Sequence, residues 1–193
     1  MKICVFGASS PSIDDEYIKK VEKMGTELAK RGHSLVFGGG KSGLMGAAAR
    51  GFKSAGGQIL GVIPKFFSGE MVETIYEDCD ELLQPETMRE RKQIMEDESD
   101  AFVIVPGGIG TYEEFFEVLT LKQLCRHNKP IVIYNINGFY DDIETSIKNA
   151  VDKKFIRKSC LELYDTTQDL DEIFRIIETP VSCVRKVKDL KEG

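Results

Sequence analysis

Short apolar runs that end in glycine turns, each followed by helical periodicity, recur along the chain, and this alternation constrains the fold more than any other feature. Lys2–Phe6 reads as a buried strand that meets Gly7-Ala8-Ser9-Ser10-Pro11. Ile13, Tyr17, Val21, Met24 and Leu28 then mark one face of a helix that stops near Gly32. Ser34–Phe37 is a second strand and enters Gly38-Gly39-Gly40, after which the small residues from Gly43 to Ala49 open a helix suited to close packing on a sheet. Residues 58–63 form a third strand, closed by Pro64. The series continues with a capping box at Thr87-Met88-Arg89-Glu90, a strand at 101–105, a helix at 111–126 and the strand Ile131–Tyr134. A helix at about 141–153, a short strand at 161–164 and a helix at 170–178 complete it. Strand-then-helix units joined by short turns require crossovers over a parallel sheet, so the predicted fold class is α/β: a Rossmann-like three-layer fold with helices on both faces.

Residues 1–180 are read as a single Rossmann-like nucleotide-binding domain and 181–193 as a polar, basic C-terminal tail. Between 65 and 84 the pattern is less regular, with an acidic stretch around Glu77 to Glu81 expected in solvent, and the segment is read as able to form a mobile rim over the site. The formal charge of −6 argues against general nucleic-acid binding, which needs a basic face to neutralise phosphates. No apolar run approaches the roughly 20 residues that span a bilayer, so no membrane partner is expected. Five cysteines, none in a C-x-x-C pair, read as reduced residues of a cytoplasmic protein. With only His33 and His127, isolated from each other, no metal site is expected.

Chemistry concentrates where the 101–105 strand runs into Pro106-Gly107-Gly108-Ile109-Gly110-Thr111-Tyr112-Glu113-Glu114. Glycines let the backbone approach a ligand, and the first free N–H groups of the following helix carry partial positive charge, so the junction suits phosphate. Glu113 and Glu114 would repel a phosphate beside them but would suit a ribose one bond further along a nucleotide. The competing reading is that Thr111-x-x-Glu114 is a capping box serving the helix alone. Arg91 and Lys92 lie just past a helix start, the unfavourable end for cations, so something negative must compensate them. Either local acids such as Glu96 do so, or Arg91 turns its planar fork of donors on the substrate. Met88 offers an apolar face for a base, or belongs to the core. Gly38-Gly39-Gly40-Lys41-Ser42 fails as a nucleoside triphosphate loop because Leu35 stands where that motif needs its first glycine. Gly38 to Gly40 are read as serving either structure or direct ligand contact.

Taken together these residues resemble the LOG family, the cytokinin riboside 5′-monophosphate phosphoribohydrolases, many of whose members carry a "lysine decarboxylase" label. The family's P-G-G-x-G-T-x-x-E matches from Pro106 to Glu114, its M-x-x-R-K at Met88, Arg91 and Lys92, its G-G-G-x-x-G-L-M-G from Gly38 to Gly46, and its G-V-I-P at Gly61 to Pro64. Arg89 stands where the family commonly has His, and the stretch between Pro64 and Arg91 is a few residues longer.

The resemblance implies hydrolysis of the N-glycosidic bond of an adenine-type nucleoside 5′-monophosphate, with Arg91 and Glu114 catalytic and no cofactor. It implies substrate contacts from Glu70 (Glu73 being a second candidate), Met88, Arg91, Lys92, Gly107, Gly108, Ile109, Gly110, Thr111, Tyr112, Glu113, Glu114 and Thr120. It also implies a homodimer with shared active sites, for which Phe115, Phe116 and Leu119 would supply an apolar contact unless they are core. Lysine decarboxylation would need pyridoxal phosphate and a Schiff-base lysine, for which no segment argues. The alternatives are non-catalytic binding of a nucleotide or of molybdenum cofactor, and a nucleosidase of broader base range.

Overall fold

The computed structural model describes residues 1–69 and 74–180. Seven parallel strands form one sheet in the order β4-β3-β2-β1-β5-β6-β7: β1 Lys2–Phe6, β2 Ser34–Phe37, β3 Ile59–Val62, β4 Glu81–Leu83, β5 Ala101–Ile104, β6 Ile131–Tyr134 and β7 Asp165–Thr167. Ile3 stands opposite Leu35 on β2 and Ala101 on β5.

That register sorts side chains by parity. Ile3, Val5, Leu35, Phe37, Ala101 and Val103 face one way, onto Val21, Met24 and Leu28 of α1 (Asp15–Lys30), Leu44, Ala48 and Phe52 of α2 (Gly43–Ser54), and Ile173 and Phe174 of α7 (Leu170–Glu178). Cys4, Phe6, Val36, Phe102 and Ile104 face the other. They meet Met95 of α4 (Met88–Asp97), Phe115 and Val118 of α5 (Ile109–Gln123) and Ile147 of α6 (Asp141–Asp152). A one-turn helix, α3 (Lys65–Gly69), follows β3.

The crossovers therefore change face between β1 and β5. In such sheets a crevice opens beyond the carboxyl ends of the two strands at the change, because their following loops diverge.

Two edge strands depart from the sequence reading. The strand expected at 161–164 is instead a 3-10 turn, Lys158–Glu162, with the strand following at Asp165–Thr167. Leu163 and Tyr164 are buried, and their apolar signal marks core packing rather than ladder pairing. β4 lies inside the stretch read as irregular; Glu81 and Leu82 are exposed and pair with one neighbour only, so no apolar alternation announces them. Glu77, Asp78 and Asp80 are solvent-exposed, as expected, although Asp80 also accepts the Ile59 N–H at 2.9 Å. The tail 181–193 and both Glu70 and Glu73 lie outside the described residues.

Candidate active site

β1 and β5 each deliver a glycine turn to the crevice, and the turns are tied together by the Ala8 N–H donating to Pro106 O at 3.1 Å. The helix N-termini that abut these turns, α2 at the first and α5 at the second, differ in one respect. The N-terminus of α2 is already occupied, since the N–H groups of Leu44 and Met45 donate to Ala8 O at 2.8 and 3.3 Å. The N-terminus of α5 is open. Its cap residue is Gly108, which has no side chain to turn inward, and the helical ladder begins with Tyr112 N–H to Gly108 O at 3.0 Å. Among the described residues nothing accepts the N–H groups of Ile109, Gly110 and Thr111. Three unsatisfied donors thus stand at the positive end of a 15-residue helix, an arrangement that favours negative charge.

The capping reading of Thr111-x-x-Glu114 is thereby corrected. The helix starts two residues earlier than the sequence predicted, so Thr111 is its third residue, buried, and Glu114 is free to turn elsewhere. The box at Thr87 does form: Thr87 Oγ1 accepts the Glu90 N–H at 3.2 Å and Glu90 Oε2 accepts the Thr87 N–H at 3.1 Å. This cap sets the start of α4, and one turn later it delivers Arg91 inward.

Arg91 and Glu114 meet as a buried ion pair, Nη1 to Oε1 at 2.8 Å, with side-chain exposures of only 7% and 10%. The Arg91 Nε–H also donates to Val62 O at the end of β3, 3.2 Å away. Burial pushes the Glu114 carboxyl above its usual range, and the Arg91 guanidinium opposes that rise without cancelling it. The pair forms one wall of a cleft of about 360 Å³, completed by Gly108, Gly110 and Thr111 at the α5 N-terminus, by Gly7 to Ser10, and by the apolar side chains of Met45, Phe67 and Met88. That volume falls at the small-ligand end of the usual range of roughly 300–1,000 Å³. An open helix N-terminus, a buried carboxylate and an apolar flank thus share one compartment.

A family model described as "possible lysine decarboxylase" matches residues 45–177. Cytokinin riboside 5′-monophosphate phosphoribohydrolase LOG2 of Arabidopsis thaliana is 35% identical over 177 residues, which are 92% of this chain and 82% of that protein. The cytokinin riboside 5′-monophosphate phosphoribohydrolase of Mycobacterium tuberculosis is 36% identical over 173 residues, 90% of this chain and 91% of its own. The chain belongs to the LOG family. Two solved structures share the LOG chain's fold. They are the molybdenum cofactor binding protein of Rippkaea orientalis, with TM-score 0.69, 19% identity and coverage of 92% and 94%, and the Moco carrier protein of Chlamydomonas reinhardtii, with TM-score 0.66, 24% identity and coverage of 90% and 93%. At such identities the likeness is one of architecture alone.

Not every residue expected to touch substrate lines the cleft of this LOG chain. Met88, Arg91, Gly108, Gly110, Thr111 and Glu114 do. Gly107 lies beneath them, against the Thr111 side chain. Ile109 is 86% exposed, and Tyr112 packs edge-on against Tyr140. Thr120 is exposed further along α5. Lys92 and Glu113 pair with each other outside the cleft, and Lys92 Nζ also reaches Glu117 Oε2 at 2.7 Å. The compensation expected from Glu96 therefore comes from other acids: Glu114 for Arg91, and Glu113 with Glu117 for Lys92. Of the apolar trio on α5, Phe115 is core, Leu119 half-buried against it, and Phe116 40% exposed. Ser9, Ser10, Met45 and Phe67 were not singled out from the sequence. The two serines follow from the turn after β1 once β1 and β5 are known to adjoin.

On the outer face of α4, burial and the nearby Glu117 carboxylate push Glu96 up to about 7. A carboxyl raised in the folded state holds its proton there longer than in the unfolded chain, so its contribution is fully present below about pH 4.5 and is lost as pH rises through about 7. After solvent screening of a half-exposed group, unfolding free energy should fall by about 1 kcal/mol across that window. Glu96→Gln should remove this slope in urea titrations at pH 5 and pH 8; an unchanged slope would assign it to another group.

Proposed function

We propose that this LOG-family chain hydrolyses the N-glycosidic bond of adenine-type nucleoside 5′-monophosphates, cytokinin riboside monophosphate or AMP, releasing free base and ribose 5-phosphate. One observation carries the reading: a buried carboxylate, paired to a guanidinium, faces a compartment that is also lined by Gly110 and Thr111 of the open α5 N-terminus. The α5 N-terminus would hold the 5′-phosphate, with the Thr111 hydroxyl assisting. With the phosphate at that end, the anomeric carbon comes within reach of Glu114.

Cleavage of such a bond passes through an oxocarbenium-like sugar. Glu114 stabilises that developing positive charge and takes a proton from the attacking water, whose oxygen bonds to the anomeric carbon as the C–N electron pair leaves with the base. The base acquires its proton from solvent. A guanidinium is a poor acid, so Arg91 acts electrostatically, holding Glu114 ionised and aligned and offering its remaining donors to base or phosphate. Met45, Phe67 and Met88 flank the base. The activities named for the Arabidopsis and Mycobacterium relatives support the same class of reaction. The decarboxylase description has less support, because the cleft's basic group is an arginine already paired to Glu114, while Lys92 is held outside by two carboxylates. A screen of purine and pyrimidine nucleoside monophosphates for liberated base tests the proposal. Release confined to the adenine-type compounds is expected, and release from none would overturn it.

The reading includes a homodimer. Ile109, Phe116 and Leu124 are exposed at 86%, 40% and 49% and recur along one side of α5 and its C-cap, with exposed Thr120 among them. Pairing through this stripe would place Thr120 against a second copy. Light scattering should give twice the chain mass, and Phe116→Glu should give the monomer; a wild-type monomer would remove the shared-site element.

A further inference from the structure

Gly38 directly follows β2 and is buried, yet it does not line the cleft. Its backbone is also ordinary, since the positive-φ glycine of this turn is its neighbour Gly39, at φ +75°. Neither ligand approach nor backbone sign therefore explains the missing side chain at Gly38. Space does. A Cβ built there would stand 2.3 Å from Arg91 Nη2, 3.4 Å from Arg91 Cζ and 3.1 Å from Met45 Sδ. The guanidinium cannot retreat and keep its bonds: Nε is held by Val62 O and Nη1 by Glu114 Oε1, in a side chain only 7% exposed. It lies in a slot with the end of β2 as its floor, the end of β3 along one edge and α5 at its tip.

We propose that Gly38 is a positioning residue for Arg91. By presenting bare Cα to the guanidinium, it allows the one placement in which Arg91 bonds Val62 O and Glu114 together. The colliding atom is the far end of a flexible side chain, so Gly38→Ala folds and the arginine moves. The displacement breaks at least one of the two bonds, and through Met45 it also shifts a second wall of the cleft. The consequence for turnover rests on the function proposed above, whereas the placement of Arg91 does not.

Three readouts of Gly38→Ala test this. In NMR spectra of the intact protein, the Arg91 Nε–H signal, assigned by its absence from Arg91→Lys, should be protected from exchange in the wild type and should shift and lose protection in the variant. In thermal melts, Gly38→Ala should lower Tm in the wild-type background but not in Arg91→Ala, where the methyl enters space the guanidinium has left. Gly39→Ala, strained by its positive φ, should lower Tm in both. In base-release assays, kcat should fall on the order of 100-fold with a smaller change in KM, the scale expected for a catalytic group displaced by about 1 Å. An unmoved, still protected Nε–H, or an equal loss of Tm in both backgrounds, would overturn the proposal. If no nucleotide is hydrolysed, the proposed function fails while the NMR and melting results still judge Gly38.

Discussion

Glu114→Gln should lower kcat for base release on the order of 10³-fold while the protein stays folded. Glutamine keeps an oxygen that can accept the Arg91 Nη1–H, so the local geometry survives, but it neither takes a proton from water nor stabilises a cationic sugar. The wild type should carry a corresponding signature in pH. Burial raises the Glu114 carboxyl above the ordinary range, so the acid limb of kcat/KM should fall at a higher pH than an exposed glutamate would give. Only the ionised carboxylate is competent, hence activity is present above the raised pKa and lost below it. Steady-state rates from pH 4 to pH 9 in both proteins check this. Undiminished turnover in Glu114→Gln would falsify the assignment.

The second large effect is on stability. Arg91→Ala leaves a carboxyl that is 10% exposed facing an empty slot, and breaking one side of a buried pair typically costs about 3–5 kcal/mol. Loss of the cation removes the group that holds the Glu114 pKa down, so the folded-state pKa rises further. The sign follows directly. The variant's deficit should be smallest in acid, below the unfolded pKa where Glu114 is protonated in both states, and should grow as pH rises through the folded value. Arg91→Met combined with Glu114→Leu should recover most of the lost stability, because an apolar pair of similar volume needs no desolvation of charge. It should have no activity. Denaturant titrations at pH 5 and pH 8 separate the outcomes; a double variant no more stable than Arg91→Ala would mean that the ion pair is needed by the fold rather than kept for chemistry.

Legibility in the sequence followed burial. Strands β1, β2, β3, β5 and β6 are continuous apolar runs because helices cover both their faces, and such runs are visible without a structure. β4 and β7 sit at the edges with exposed polar residues, and there the pattern is silent or points a few residues astray. At the site, the glycine turn was legible as an open helix start beside the cleft, because few other local roles need that spacing. The start of α5 was less readable: Thr111-x-x-Glu114 satisfies the capping pattern, and only the α4–α5 pairing of Arg91 with Glu114 shows why the glutamate turns inward. Lys92 and Glu113 were among the substrate contacts that the family resemblance implied. Charge at a helix start signals the need for a partner but not which partner, and here each found the other. The role of Gly38 was beyond reach, since it depends on an arginine 53 positions later lying against it.

The most direct test of the whole account is a side-by-side time course of wild-type protein with AMP and with adenosine, following base and sugar by chromatography. If main-chain donors at the start of α5 grip the 5′-phosphate and so bring the anomeric carbon to Glu114, AMP yields adenine and ribose 5-phosphate in equal amounts while adenosine stays intact. Cleavage of both at the same rate, or of adenosine alone, would contradict it.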